Sequence, residues 1–197
     1  QDTGLDVVSQ LEWMVRQIFR MMCSDRKLVF ANHDSAVASK AFLKCLLRLS
    51  SDGDDKILLK QTLGKFKKKV QESKSTDALE IEASNVSEWS ESALMRSNWD
   101  RDSPRLAVNF SNGKIVSELS RKHRLVCGET TPEILADGKL LNSSATFEIS
   151  CTQSDEGIEY LELERELHGG GLLTRQYLLS KVDRFLLIAD AIVLPAA

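Results

Sequence analysis

The stretch Leu161-Glu162-Leu163-Glu164-Arg165-Glu166-Leu167 decides the fold class of this chain. Leucines, with Arg165 at one position, alternate one by one with glutamates. A period of two is typical of a β-strand that has one dry face and one solvated face. We therefore predict an antiparallel sheet in this part of the chain.

Turn signals on both sides of this stretch extend the prediction to a meander. Asn112-Gly113 and Asp137-Gly138 are typical of hairpins, because both turn positions need a positive φ. Further reversals are indicated at 154–157, 169–171 and 180–183. The expected strands are 79–83, 91–97, 105–111, 114–120, 123–127, 145–152, 158–167, 172–180 and 184–193. A sheet with this many strands is expected to close or to fold over into two layers, because its edges must be protected.

The first third of the chain has a helical period instead. One stripe recurs every three or four residues and consists of Leu5, Val8, Leu11, Val15, Ile18 and Met22. A second helix is expected after an N-cap at Asp34 or Ser35. Its stripe consists of Ala38, Ala41, Phe42, Cys45, Leu46 and Leu49. A short third helix is expected from Lys56 to Leu63.

The pattern as a whole predicts an α+β fold, in which a short N-terminal helical segment precedes a large antiparallel β-sheet sandwich. We predict a helical region at 1–64, a basic linker at 65–77 and an antiparallel β-sandwich domain at 78–197. The linker is rich in lysine and nearly devoid of apolar residues. The composition also changes here, because residues 1–74 carry a net charge of +5 and residues 75–197 a net charge of −8.

Composition and motifs argue against several functional classes. No apolar run approaches the roughly 20 residues of a membrane helix, so no membrane partner is expected. The net charge of −3 argues against nucleic acid, although the lysine run at 65–69 could meet a polyanion if it is not simply a solvated linker. The four cysteines show no metal-ligand spacing, and we expect neither a metal nor a cofactor. The chain begins without Met, and we expect the remainder of a longer chain or a homo-oligomer as its partner.

Several short segments carry a resemblance to a known family. Ser92-Ala93-Leu94-Met95-Arg96-Ser97-Asn98-Trp99 and Leu106-Ala107-Val108-Asn109-Phe110 are similar to the first β-strands of heparinase II/III-like polysaccharide lyases. The segments at 160–163 and 175–176, followed by Asp183-Arg184-Phe185-Leu186-Leu187-Ile188-Ala189-Asp190, resemble later strands of that β-domain. Residues 5–63 resemble the last helices of its α-toroid. The resemblance implies a periplasmic or extracellular location.

The family's chemistry is β-elimination on uronic-acid polysaccharides, in which a Tyr or His base removes a proton and polar groups neutralise the neighbouring carboxylate. Active members carry a His-x-His-x-Asp-like signature after the opening strands. The matching stretch, 114–128, has only His123. We therefore assign no catalytic residue, and we do not expect this chain to catalyse the reaction alone.

The candidate substrate-binding residues are Arg96, Trp99, Arg121, His123 and Arg124. Arginine can bind a carboxylate through two hydrogen bonds, and tryptophan can stack on a sugar ring. For Trp99, together with Trp89, the alternative is packing at the junction between helices and sheet, and for 121–124 it is a solvated turn. His33 and His168 are expected at a helix start and a hairpin tip.

Two functions remain open. In the first, the chain is a polysaccharide-lyase-related segment whose β-domain lines or supports a cleft for an acidic polysaccharide. In the second, it is a non-catalytic β-sandwich module that binds a glycan or has a structural role. The missing histidine signature favours the second for this chain in isolation.

Overall fold

The computed structural model describes residues 3–31, 37–49, 53–63, 82–100, 102–141, 143, 145–183 and 185–195. The predicted α+β class is confirmed, because helices form the first part of the chain and antiparallel sheets form most of the rest. The predicted linker at 65–77 lies outside the described residues.

The chain divides into two compact units. The helical unit comprises Gln1–Ala83, Trp99–Ser103 and Arg121–His123. The sandwich unit comprises Ser84–Asn98, Pro104–Ser120 and Arg124–Ala197. Two hairpin tips of the sheet region, at 99–103 and 121–123, therefore group with the helices rather than with the strands that they connect.

Three helices are described in the helical unit: α1 (Thr3–Met21), α2 (Lys40–Leu49) and α3 (Gly53–Leu63). Their apolar faces share one core, formed by Val15, Phe19, Met22, Leu43, Leu46 and Leu59. The same unit contains an ion pair with one buried partner, in which Nε of the half-buried Arg16 lies 3.3 Å from Oδ1 of the fully buried Asp55.

The predicted α2 differs from the structure in its start and in its buried face. The predicted caps Asp34 and Ser35 lie outside the described residues. The observed cap is Ser39, whose Oγ accepts a hydrogen bond from the main-chain N–H of Phe42. Leu43 and Leu46 are buried, whereas Phe42, Cys45 and Leu49 are exposed. The helix carries apolar residues on most of its circumference, so periodicity alone did not identify the face that packs.

Within the described ranges, five antiparallel strands form the first sheet of the sandwich unit and four form the second. The first has the order β1 (Asn85–Ser87), β2 (Ser92–Arg96), β3 (Arg105–Asn109), β4 (Val116–Ser120), β5 (Arg124–Glu129). A two-stranded hairpin follows, made of β6 (Leu135–Ala136) and β7 (Lys139–Leu140). The second sheet is formed by β8 (Glu148–Ser154), β9 (Ile158–Glu166), β10 (Leu172–Ser180) and β11 (Leu186–Val193). Its order is β11-β10-β9-β8.

Both sheets contribute to one hydrophobic core. Its buried residues are Ala93, Met95, Leu106, Val108, Phe110, Ile115, Phe147, Leu161, Leu163, Leu167, Leu173, Tyr177 and Leu179. The two inner faces also meet through polar atoms, since Ser117 Oγ on β4 lies 3.3 Å from Tyr177 Oη on β10. The predicted dry face of the alternating stretch is confirmed by the full burial of Leu161 and Leu163.

The turn predictions hold at two positions. Asn112 and Gly113 both have positive φ (56° and 69°), in a 3-10 turn between β3 and β4. Asp137 and Gly138 (48° and 74°) join β6 to β7. The strand predicted at 79–83 is not found in its described part, 82–83, and the first strand begins at Asn85.

Candidate functional site

A basic turn, defined here as Arg121-Lys122-His123, joins β4 to β5 and exposes all three of its residues. The main-chain N–H of Arg121 donates to the carbonyl of His123 at 3.0 Å, which closes the turn. Arg121 Nε donates to the carbonyl of Asp102 at 2.8 Å, and Ser24 Oγ donates to the carbonyl of Lys122 at 2.8 Å. The turn is thus held in place through its main chain and one guanidinium nitrogen, while its three side chains remain exposed.

A register shift between β4 and β5 sets the length of the basic turn. The register between β4 and β5 shifts between Leu119 and Ser120, so Ser120 pairs with Arg124. The three residues between this pair form the loop. A register shift at the end of a hairpin re-aims side chains, and here it projects three consecutive basic-type residues away from the ladder.

Arg124 follows the turn but is engaged within the sandwich unit. Its Nη2 lies 3.0 Å from Oε2 of Glu118, whose side chain is fully buried. A buried carboxylate needs a paired cation, so Arg124 neutralises Glu118. Partial desolvation, together with the charge of Glu118, raises the pKa of the thiol of Cys127, the residue opposite Glu118 on β5. A ligand would have to compete with Glu118 for Arg124.

The other two predicted residues do not face solvent. Arg96, at the end of β2, is 1% exposed, and Trp99 is 7% exposed. Arg96 lies opposite Arg105 in the sheet, and Arg105 is also buried, with its Nε donating to Ser120 Oγ at 3.2 Å. Of the five predicted binding residues, the structure therefore exposes Arg121 and His123 together in one turn. It half-exposes Arg124 and buries Arg96 and Trp99.

Sequence reasoning missed a polar cluster on the outer face of the second sheet. The carboxylate of Glu162 on β9 accepts hydrogen bonds from Tyr160 Oη (2.5 Å), Gln176 Nε2 (2.7 Å) and Ser150 Oγ (2.9 Å). These bonds lower the pKa of Glu162, with the bond from Tyr160 as the largest cause. Burial, and then the bond to Glu162, raise the pKa of Tyr160 to about 12. This tyrosine is held protonated and is unsuited to act as a base near neutral pH.

One sequence signal for this polar cluster was available: the period of two places Tyr160 and Glu162 on the same face of the strand. The donors Ser150 and Gln176 come from neighbouring strands. Their positions depend on strand register, which no local motif marks.

Two hollows lie next to the start of β8, with volumes of about 320 and 310 Å³. Five glutamates are among the residues that line them: Glu88, Glu91, Glu148, Glu164 and Glu166. Carboxylates at this density repel an anionic ligand, so neither hollow suits a uronate or a sulfated sugar.

The described part of the chain contains few other side chains that could act in catalysis or bind a metal ion. His168 is exposed at the β9–β10 turn, and His33 lies outside the described residues. No cluster of three metal-binding side chains occurs among the residues that the structure describes. Within the same residues, no helix has the length and apolar character that a membrane crossing requires. All four cysteines are free thiols.

Comparison with known proteins gives no significant match to a family model, a curated protein or a solved structure. The resemblance to heparinase II/III-like proteins accordingly stays a prediction, made from the segments within 92–110 and 160–190.

Proposed function

We propose that this chain is a polysaccharide-lyase-related, heparinase II/III-like segment that binds an acidic glycan without cleaving it by itself. The observation that carries the proposal is the basic turn, in which Arg121, Lys122 and His123 are consecutive and exposed. Carboxylates and sulfates of uronic-acid glycans are the ligands that such side chains recognise. The order of helices followed by an antiparallel sandwich is also what the resemblance implies.

The basic turn has the features of a contact point for a polyanion. The bond from Ser24 Oγ to the carbonyl of Lys122 and the closing bond from Arg121 N–H to the carbonyl of His123 fix its main chain, and Asp102 holds Nε of Arg121, so less conformational freedom is lost when a ligand binds. Long-range attraction between exposed charges is screened over about 8 Å at physiological ionic strength. Binding should therefore be weak, and it should weaken further as salt is added.

The environments of the described tyrosines and histidines support binding without catalysis. Tyr160 is kept protonated by burial and by Glu162, and Tyr177 is fully buried. His123 and His168 are exposed on separate turns. Tyr177 thus lacks the exposure, and Tyr160 the pKa, that a base for β-elimination needs.

The test measures binding of the intact chain to heparin, alginate and chondroitin sulfate. The triple variant Arg121→Ala/Lys122→Ala/His123→Ala is compared with Lys40→Ala/Lys44→Ala/Arg48→Ala, which removes three exposed basic residues from α2. We expect the first to weaken binding roughly tenfold, since exposed ion pairs contribute up to about 1 kcal/mol each. The second should bind like the wild type.

Equal losses in the two triple variants would mean that binding reflects overall charge, and the assignment to the basic turn would fail. The same samples are followed for the ultraviolet absorbance of unsaturated uronate, which a lyase produces. We expect a flat trace. An increase that depends on protein concentration would contradict the non-catalytic assignment.

The burial of Arg96 and Trp99 favours a second candidate function, a β-sandwich module with a structural role. Two of the five residues proposed to reach a glycan are 1% and 7% exposed, which is typical of packing residues. If none of the three glycans binds, the structural module is the remaining function.

A further inference from the structure

Among the strands that the structure describes, the two larger sheets of the sandwich unit have four edge strands, and three of these are protected. β1 is only three residues long. β5 has a register shift where it meets β4, and it contains Arg124, Gly128 and Glu129. β8 has a register shift near Ile149 and is otherwise mostly polar. Short length, bulges and charges are the usual means by which proteins prevent edge-to-edge pairing.

The fourth edge strand, β11, is neither short nor bulged, and its one charged residue, Asp190, is neutralised by Arg175 of β10. It pairs with β10 over eight consecutive positions without a register shift. Its sequence, Leu-Leu-Ile-Ala-Asp-Ala-Ile-Val, contains no Gly, Pro, Lys or Arg. Apolar side chains on both of its faces are exposed: Leu187 52%, Ile188 43%, Ile192 46% and Val193 62%. A long, regular, apolar edge is a template for pairing with another strand.

The hydrogen-bond pattern shows which main-chain groups of β11 point outward. Ser180 N–H donates to the carbonyl of Phe185, which makes this pair a hydrogen-bonded one in the β10–β11 register. Pairs of this type alternate along an antiparallel ladder. The odd-numbered residues of β11 therefore bond to β10. The N–H and C=O groups of Ile188, Asp190 and Ile192 point away from the sheet.

The sequence of β11 is close to a palindrome about Asp190. An antiparallel pairing of two copies around a two-fold axis at Asp190 would place Ile188 opposite Ile192, Ala189 opposite Ala191 and Leu187 opposite Val193. The outward-pointing residues then face one another, and each such pair exchanges two main-chain hydrogen bonds. Apolar residues meet apolar residues at each of these positions, which is favourable for cross-strand packing.

Electrostatics permit the same arrangement. Asp190 is the charged residue of β11, and in this register it meets its own copy. Each Asp190 carboxylate is neutralised by Arg175 of its own chain, through contacts of 2.6 and 2.7 Å. The two-fold axis thus brings together two neutral ion pairs rather than two bare carboxylates, and the repulsion is reduced.

From these observations we infer that β11 is an interaction surface for a second copy of this chain. The two copies pair antiparallel about Asp190, and their four-stranded sheets join into one continuous eight-stranded sheet. The inference is independent of the proposed glycan function, because it rests on β10 and β11 alone.

The first test is analytical ultracentrifugation of the intact chain at increasing concentration. We expect a monomer–dimer equilibrium in the wild type. Ile188→Lys places a charge on the outward-pointing edge, and Ile192→Pro removes an outward N–H that is not used by β10. Each should raise the dimer dissociation constant at least tenfold. The matched control is Thr152→Lys on the edge strand β8, which should leave the constant unchanged.

Circular dichroism and thermal unfolding establish that the variants are folded. Should one variant fail to fold, the other and the wild type still test the inference. Hydrogen exchange measured by NMR on the wild type adds a second readout. Amides of Ile188, Asp190 and Ile192 should become protected as concentration rises, whereas those of Leu187, Ala189 and Ala191 should be protected throughout. A wild type that stays monomeric up to about 1 mM overturns the inference. So does dimerisation with no change in the exchange of the outward-pointing amides.

Discussion

Arg175 on β10 holds Asp190 on β11 in a two-pronged ion pair, with Nε 2.6 Å from Oδ1 and Nη2 2.7 Å from Oδ2. The side chain of Arg175 is 8% exposed and that of Asp190 is 36% exposed. Arg175 Nη1 also donates to the carbonyl of Thr130, just beyond β5. Burial alone would lower the pKa of Arg175, but the hydrogen bonds to Asp190, together with contributions from Tyr177 and from the charge of Asp190, outweigh it and raise the pKa. The guanidinium of Arg175 therefore links the edge strand β11 to the segment that directly follows β5 of the first sheet.

Removing the carboxylate should destabilise the sandwich unit. We expect Asp190→Asn to lower the free energy of unfolding by about 1–3 kcal/mol, less than for a fully buried pair because Asp190 is partly exposed. Urea unfolding at a low protein concentration measures this without a contribution from association. The control Asp183→Asn, in an exposed turn, should stay within about 0.5 kcal/mol of the wild type. An Asp190→Asn variant as stable as this control would contradict the role given to the pair.

The core of the sandwich can be tested at Leu163, which is fully buried. Leu163→Ala should cost about 2–5 kcal/mol, because it removes apolar contacts and leaves a cavity between the two sheets. Leu135→Ala is the matched control, since Leu135 is 68% exposed on β6, and it should cost no more than about 0.5 kcal/mol. Similar losses in the two variants would mean that Leu163 does not belong to a tightly packed core.

Local patterns were sufficient where a single period or turn type decides the structure. Alternation in 161–167 identified the inner face of β9, including Arg165, which is 9% exposed and lies with its guanidinium carbon 4.5 Å from the Phe147 ring centroid. Asn112-Gly113 and Asp137-Gly138 identified turns because few other residue pairs adopt two positive φ angles in succession.

Local patterns were insufficient where the result depends on distant parts of the chain. The segment that contains Arg96 predicted a strand with an accessible arginine near its end. In the structure, Arg96 is buried opposite Arg105. The ion pair between Glu118 and Arg124 depends on a register shift between β4 and β5, and no residue of the hairpin predicts that shift. Candidate binding residues were consequently chosen by type, and only tertiary packing distinguishes an exposed Arg121 from a buried Arg96.

The Tyr160–Glu162 pair makes stability depend on pH in alkaline solution. The pKa of Tyr160 rises from its ordinary value of 10.0 to about 12 in the folded protein. A raised folded-state pKa gives stability that is fully present below pH 10 and is lost as pH rises toward 12. The wild type should therefore lose more unfolding free energy across this window than Tyr160→Phe does. The two proteins share every other titrating group, so the difference between their curves isolates Tyr160. Parallel curves would show that Tyr160 titrates alike in the folded and unfolded chain.

The four cysteines should react with iodoacetamide in a definite order. Cys23 is 8% exposed, whereas Cys45, Cys127 and Cys151 are exposed. The thiolate is the reacting species, so the raised pKa of Cys127 should make it slower than Cys45 and Cys151 at neutral pH. Cys23 should be slowest, because it reacts only when the helical unit opens. Peptide mass spectrometry over time gives all four rates in one experiment.

The role of Glu118 in this order can be separated from that of burial. Glu118→Gln removes the negative charge opposite Cys127 and leaves Arg124 in place, so it should lower the pKa of Cys127 and speed its alkylation. The rate at Cys45, which lies in the helical unit, should not change. If Cys127 reacts at the same rate in Glu118→Gln and in the wild type, the charge of Glu118 has no part in raising its pKa. If Cys45 accelerates as well, the substitution has loosened the fold rather than changed one thiol.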